Sequence, residues 1–480
     1  MNRSQASWLL LLGGIVLFVF VPLAVFLPRA QAAADPWASV PQRAAPTDHT
    51  ALMPGPYETP QDVTRACLEC HPNAAQEVMQ TSHWTWLSEP MKAKWLGGQE
   101  VQLGKKNAIN NFCIGIQGNW PGCTKCHIGY GWADANFDFQ DEANVDCLAC
   151  HADMTTYAKG KAGMPADSVD LTAAAQSVGG PPTRENCGRC HFNGGGGNAV
   201  KHGDLDESLY EPDPDLDVHM GKYDLLCVDC HTTEHHRIKG QALSFAVEYR
   251  DQVHCEDCHT ERPHKDDRLN DHTDAVACSA CHVPYSARKW PTKVWWDWST
   301  AGRDDIPENH YTYLKIKGSF RYEKNIVPEY YWWNGEVAYR YQLGDKIDPS
   351  KPTLINPPAG DIHDPKAKIW PFKIHRGRQP YDTQYRILLQ PWTVGKGAFW
   401  DAFDWEVALQ KGAEYAGIPF SGEWDYAETW FFYPQAHMVA PAEQALQCTD
   451  CHGPNGRLDW QALGYPGDPA EWGGRESSSK

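Results

Sequence analysis

INNFCIGIQGNWPGCTKCH, residues 109–127, ends in the C-x-x-C-H motif Cys123, Cys126, His127 and carries one cysteine, Cys113, that this motif does not use. C-x-x-C-H is the attachment signal of a c-type haem. Two thiols add across the two vinyl groups of one porphyrin, and the imidazole of the next residue reaches the iron. The motif recurs at Cys67, Cys70, His71; Cys147, Cys150, His151; Cys187, Cys190, His191; Cys227, Cys230, His231; Cys255, Cys258, His259; Cys278, Cys281, His282; and Cys448, Cys451, His452. Eight motifs use sixteen of the 17 cysteines. Zinc knuckles pair C-x-x-C units with histidines at varied offsets, and a disulfide framework needs no histidine at all. A histidine at the same place in all eight units excludes both.

Eight covalent haems in 480 residues leave little room for a conventional side-chain core. The expected fold is mainly α with long loops, a multihaem cytochrome c fold wrapped around the cofactors with little regular sheet. The 40 glycines and 35 prolines suit such a chain. The formal charge of −18, to which each haem adds two propionates, argues against a nucleic-acid partner.

Residues 8–27, WLLLLGGIVLFVFVPLAVFL, are uncharged, follow a short segment with Arg3, and precede the small-residue run AQAAAD. Residues 1–34 read equally as a cleaved export signal or a retained anchor, the chain's only expected membrane contact. Either sends the remainder to the periplasm. The first cysteines of successive motifs are separated by 56, 24, 40, 40, 28, 23 and 170 residues. Residues 35–282 therefore form a seven-motif haem region, and residues 448–480 carry the eighth motif and a tail. Residues 283–447 have no motif and hold twelve of the 21 tryptophans. Strand-like alternation marks residues 309–342. Residues 397–417 read as a helix in which Phe399, Phe403 and Val407 stack and which Gly417 ends. The aromatics of this region are expected to be core, packing on haem edges.

A closed electron-transfer haem takes a second strong ligand, usually another histidine. Thirteen histidines lie outside the motifs. His83, His219, His236, His264, His272, His375 and His437 are the candidate distal ligands, with His49, His202, His235, His254, His310 and His363 in reserve. Seven candidates for eight haems point to one site with different ligation.

HFNGGGGNAVKHGDLD, residues 191–206, follows the fourth motif. With INNFC, GCTKCH, HWTW, DVHM and FKIHRGRQPYD it resembles the octaheme tetrathionate reductase family from about Thr47 to Cys451. Relatives of hydroxylamine oxidoreductase share the haem count, so the glycine-rich and INNFC stretches carry the specificity. The resemblance implies that the haem on Cys123 and Cys126 is catalytic, with His127 on one side of the iron and Lys201 on the other, and Cys113 beside it. Asn198 stands where the family often has Asp, three before the lysine. Read without the resemblance, Lys201 is a solvated lysine and Cys113 a small buried hydrophobe. Lys105 and Lys106 read equally as substrate-attracting or solvent-exposed; Asn110 and Asn111 are weaker candidates for orienting substrate.

The expected activity is reduction of a small inorganic anion, tetrathionate to thiosulfate, with nitrite and hydroxylamine as further substrates. A quinol-linked or soluble cytochrome would supply the electrons. Oxidation of a reduced sulfur or nitrogen compound, and pure electron conduction through eight doubly imidazole-ligated haems, are the alternatives. Calcium binding is left open, since no residue pattern here reports on it.

Overall fold

The computed structural model describes residues 35–109, 114–243, 250–475. Residues 8–27, Asn110, Asn111 and Cys113, for which the sequence carries expectations, lie outside the described residues. Of these described residues, those within 41–253 and 271–475 form one compact unit, and residues 35–40 with 254–270 form another. In the second, Asn270 clamps the loop at His264, accepting from its amide and donating to its carbonyl, each at 2.8 Å.

In the larger unit most haem motifs sit on single helical turns; the second is split between a turn ending at Cys123 and another over Thr124–Cys126, with His127 extended. Residues at i, i+3 and i+4 share one face of a helix, so a turn presents both thiols and the imidazole together. Helix α1 (Pro60–Cys70) carries the first motif and α2 (Arg184–His191) the fourth, each started by a reciprocal cap: Thr59 with Asp62, and Thr183 with Asn186. Shorter turns at Leu148–His151, Cys227–Cys230, Cys278–His282 and Cys448–Cys451 carry others. Polar anchors fix these turns. Asp146, fully buried before the third motif, accepts from the Tyr130 hydroxyl at 3.0 Å, the Tyr157 hydroxyl at 2.8 Å and the Ala149 amide at 3.0 Å, and pairs with Lys159.

Strand is concentrated in the motif-free region as one eight-stranded sheet: β1 (Thr292–Asp297), β2 (Tyr313–Leu314), β3 (Gly318–Glu323), β4 (Glu329–Trp333), β5 (Thr353–Leu354), β6 (Lys368–Asp382), β7 (Ile387–Leu388) and β8 (Trp424–Pro434). The alternation read in residues 309–342 is β2 to β4. The order is β2-β3-β1-β6-β8-β5, with β4 and β7 also on β6. The long β6 is the spine, antiparallel to β8 along residues 372–382 and parallel to β1 at residues 376–378. The aromatics pack mainly on each other, as a core should. Trp296 stacks with Trp298 at 5.1 Å, and Trp405 lies 4.0 Å from Phe399 and 5.8 Å from Trp298.

The helix expected over residues 397–417 is two helices. Phe403 adopts φ 54 after a short turn, Phe399–Ala402. Asp404 then accepts from the Val407 amide at 3.1 Å and starts α3 (Trp405–Ala416). Val407 consequently points to solvent, 42 % exposed, and does not stack on Phe403. Gly417 ends α3 at φ 69, as expected. Among the described residues no helix is long and apolar enough to cross a membrane.

Candidate functional site

Motifs distant in sequence are brought side by side. The Cys126 thiol is within hydrogen-bonding reach of Cys190, Cys187 of Cys227, and Cys67 of Cys147. Among the described residues every cysteine is free of disulfides.

Four motif histidines face a distal histidine. Ring centroids are 6.2 Å apart for His191 and His83, 6.5 Å for His151 and His236, 6.2 Å for His231 and His437, and 6.2 Å for His452 and His272. An imidazole nitrogen sits about 2 Å from a bound metal and roughly 1 Å from its own ring centre, so two rings flanking one metal should be about 6 Å apart. The residues fit a bis-imidazole haem iron at all four places.

Hydrogen bonding supports the fit. A metal-ligating imidazole donates its other nitrogen to a carboxylate or carbonyl, which fixes the ring and its tautomer. Here Nδ1 of His236 lies 2.7 Å from Glu77, that of His437 3.2 Å from Asp204, that of His452 2.6 Å from Asp468, and that of His231 2.8 Å from the Lys239 carbonyl. Each contact leaves Nε2 for the metal.

Of the other candidate ligands, His219 follows Asp217, which accepts its amide at 2.9 Å, and His264 is held by Asn270 as described. His375 lies in β6 opposite Phe431 and is 1 % exposed; burial, then the neighbouring Lys373, pushes its pKa well down.

Around the second motif the arrangement differs. His127 is fully buried in an aromatic box of Trp84, Trp86, Trp132, Phe137 and Phe139, with ring centroids 4.7–6.0 Å away. Its Nε2, the atom an axial ligand presents, is 2.7 Å from the Trp84 carbonyl, and burial pushes its pKa down to about 3. Lys201 comes from the loop after the glycine run, and its amine lies within electrostatic reach of the Cys123 and Cys126 thiols. Desolvation, then repulsion from Lys105, pushes its pKa down to about 7, so the neutral amine is accessible near neutral pH. Gly194 leaves room for this side chain; a Cβ there would sit 3.4 Å from Lys201 Cδ.

Lys105 lies 4.2 Å from the Trp86 ring centre with its ammonium 3.4 Å from the Cys123 carbonyl, while Lys106 covers the Phe139 ring at 3.9 Å. Asn198 accepts from the Glu207 amide at 2.9 Å, which gives it a loop-holding contact. Three buried basic side chains had no signal in the sequence. Arg340, 1 % exposed, donates to the Ile109 carbonyl at 2.5 Å. Lys373, 2 % exposed, donates to the Lys201 carbonyl at 2.6 Å. Lys293, 2 % exposed, lies over the Phe320 and Trp296 rings at 3.5 and 3.9 Å. The carboxylates Glu77, Asp204 and Asp468 were equally silent, since a hydrogen-bond acceptor needs no motif.

The C-x-x-C-H turns and the paired imidazoles define a multihaem c-type cytochrome. Residues 293–455 match the family described as Cytochrome c bacterial, and residues 66–152 and 186–260 match Cytochrome c554 and c-prime. An uncharacterized protein of Archaeoglobus fulgidus is 25 % identical over 239 residues, 39 % of this chain and 79 % of that protein. The crystal structure of octaheme cytochrome c from Shewanella oneidensis is 47 % identical, with a TM-score of 0.83, covering 88 % of this chain and 98 % of that one. The chain belongs to the octaheme cytochrome c family. It is a redox protein that holds covalent c-type haem.

Proposed function

We propose that this is an eight-haem reductase acting at the haem site of Cys123 and Cys126 on small inorganic substrates, the anion tetrathionate foremost, with nitrite and the neutral hydroxylamine in addition. The observation that carries the reading is the buried Lys201 within electrostatic reach of those two thiols, its pKa lowered by desolvation to about 7 so that the neutral amine is accessible. Four imidazole pairs are closed on both sides and suit electron transfer, whereas this site faces a displaceable amine.

Cys123, Cys126 and His127 would hold the haem, which when bound would supply electrons singly, and Lys201 would be the chain's displaceable ligand. Lys201, once displaced and protonated, would hold a positive charge beside the anionic substrate and product. Lys105 and Arg340 act on the same region as fixed positive charges and favour a dianion over a neutral substrate. The reading gives Cys113 the covalent step. Its thiolate attacks one of the two central sulfurs of tetrathionate, breaking the central S–S bond, releasing one thiosulfate and leaving a Cys–Sγ–S–SO3 adduct. Two electrons and no net proton then regenerate the thiolate and release the second thiosulfate. Export to the periplasm through residues 1–34, and a quinol-linked or soluble cytochrome donor, complete the proposal.

The test is Lys201→Met in the holoprotein, read by tetrathionate turnover and electron paramagnetic resonance. Turnover should fall about 100-fold, as expected when a reacting anion loses the group that positions it, and one low-spin signal should change while the imidazole-pair signals stay. Unchanged spectra and turnover would refute the role of Lys201, and absence of turnover in the wild-type holoprotein would leave an electron conduit.

A further inference from the structure

The four imidazole pairs differ in what holds their rings. Asp204 is 1 % exposed and accepts from Nδ1 of His437, and also from the amides of Ala436 at 2.8 Å and His437 at 3.0 Å. Asp468 holds His452 with its side chain 15 % exposed. Glu77 is 27 % exposed and divides its charge between His236 at 2.7 Å and His235 at 3.1 Å. The pair His83 and His191 has no carboxylate on either ring among the described residues; their recorded partner is each other.

A carboxylate accepting from Nδ1 pushes electron density into the imidazole and makes it a stronger donor to the metal, stabilising the oxidised iron. Hydrogen bonding of axial ligands and burial are established levers on haem potential. In a low-dielectric surrounding the anion acts more strongly, so the order of effect should be Asp204, then Asp468, then Glu77.

We propose that Glu77, Asp204 and Asp468 are positioning residues that hold three of these haems at lower reduction potential than the haem between His83 and His191, making that haem the preferred resting place for electrons. The same haem, on Cys187 and Cys190, lies against both the second and the fifth motif through the Cys126–Cys190 and Cys187–Cys227 contacts. One electron passes downhill from the Asp204-anchored haem to it, oxidising the first iron and reducing the second, and from there it is one step from the site of Lys201. Only this last step rests on the reductase reading; the order of potentials does not.

The experiment is a potentiometric titration of holoprotein followed by electron paramagnetic resonance. Single variants His83→Ala, His236→Ala, His272→Ala and His437→Ala each convert one haem to a high-spin state and so assign its couple. The couple lost in His83→Ala should lie above the other three; finding it below any of them overturns the proposal. Asp204→Asn should raise the couple assigned through His437 so that its reduced-to-oxidised ratio at a set potential grows about tenfold, a shift of about 59 mV for one electron. The near-parallel rings of His231 and His437, 20° apart, give that haem a signal distinct from those of the three crossed pairs. Should Asp204→Asn fail to assemble, Glu77→Gln at the surface must raise the His236 couple by a smaller amount. An unmoved couple in a fully haem-loaded variant refutes the role of that carboxylate, whatever the turnover with tetrathionate.

Discussion

The ammonium of Lys373 donates to the main-chain carbonyl of Lys201 at 2.6 Å, so a residue of the central strand β6 fixes the loop that delivers the proposed catalytic amine. Lys373 is buried, and burial, the largest influence on it, pushes its pKa well below the ordinary lysine range. Lys373→Met keeps the length of the side chain and removes the donor. We expect turnover to drop on the order of 100-fold, the consequence of an ångström-scale misplacement of a reacting group. Binding of the haems should persist, checked by the pyridine haemochrome spectrum.

The glycine run before Lys201 has a specific conformational requirement at Gly196. Its φ is +95, and a Cβ there would lie 3.0 Å from the Lys317 ammonium. Gly196→Ala should therefore cost about 1–2 kcal/mol. A lower melting temperature, with crowding of Lys317, is the expected signature.

Asp146 and Lys159 form a pair buried at both ends, supported by two tyrosine hydroxyls. Removing one member leaves an uncompensated charge. Asp146→Ala should destabilise the protein by about 3–5 kcal/mol. The loss would register as a large fall in thermal midpoint and as incomplete haem loading at the adjoining Cys147 motif.

Lys293 gives a pH dependence with a definite sign. Burial pushes its pKa well below the lysine range, and like charge on Lys317 and Lys373 adds to this. The unfolded chain therefore holds a proton that the folded protein gives up, and stability rises with pH across the interval between the lowered folded value and the ordinary value of about 10.4. Lys293→Met removes this linkage. The difference in stability between variant and wild type should be greatest at the acidic end of that interval and shrink as pH rises, as measured by thermal unfolding at several pH values.

The covalent half of the haem sites was legible in the residues because it is local. Two thiols and an imidazole at i, i+3 and i+4 need only one helical turn, whatever surrounds it. For the distal half the residues offered only a pool of candidates. His83, His236, His272 and His437 belong to it, yet nothing near them in sequence names His191, His151, His452 or His231 as partner. Residues 397–417 show the limit in secondary structure. The apolar spacing suggested one helix, but Asp404 competes for the backbone and starts a second, and Phe403 takes the turn between them.

By itself, then, the chain's order of residues determined the cofactor chemistry, the number of attachment points and an unbalanced supply of imidazole ligands, because covalent attachment obeys short-range geometry. Tertiary structure alone decided which rings face each other, that β6 sets Lys373 under Lys201, and that Asp204 rather than some other acid holds His437. Those contacts join residues far apart along the chain, and they exist only once the backbone has closed on itself and excluded water from between them.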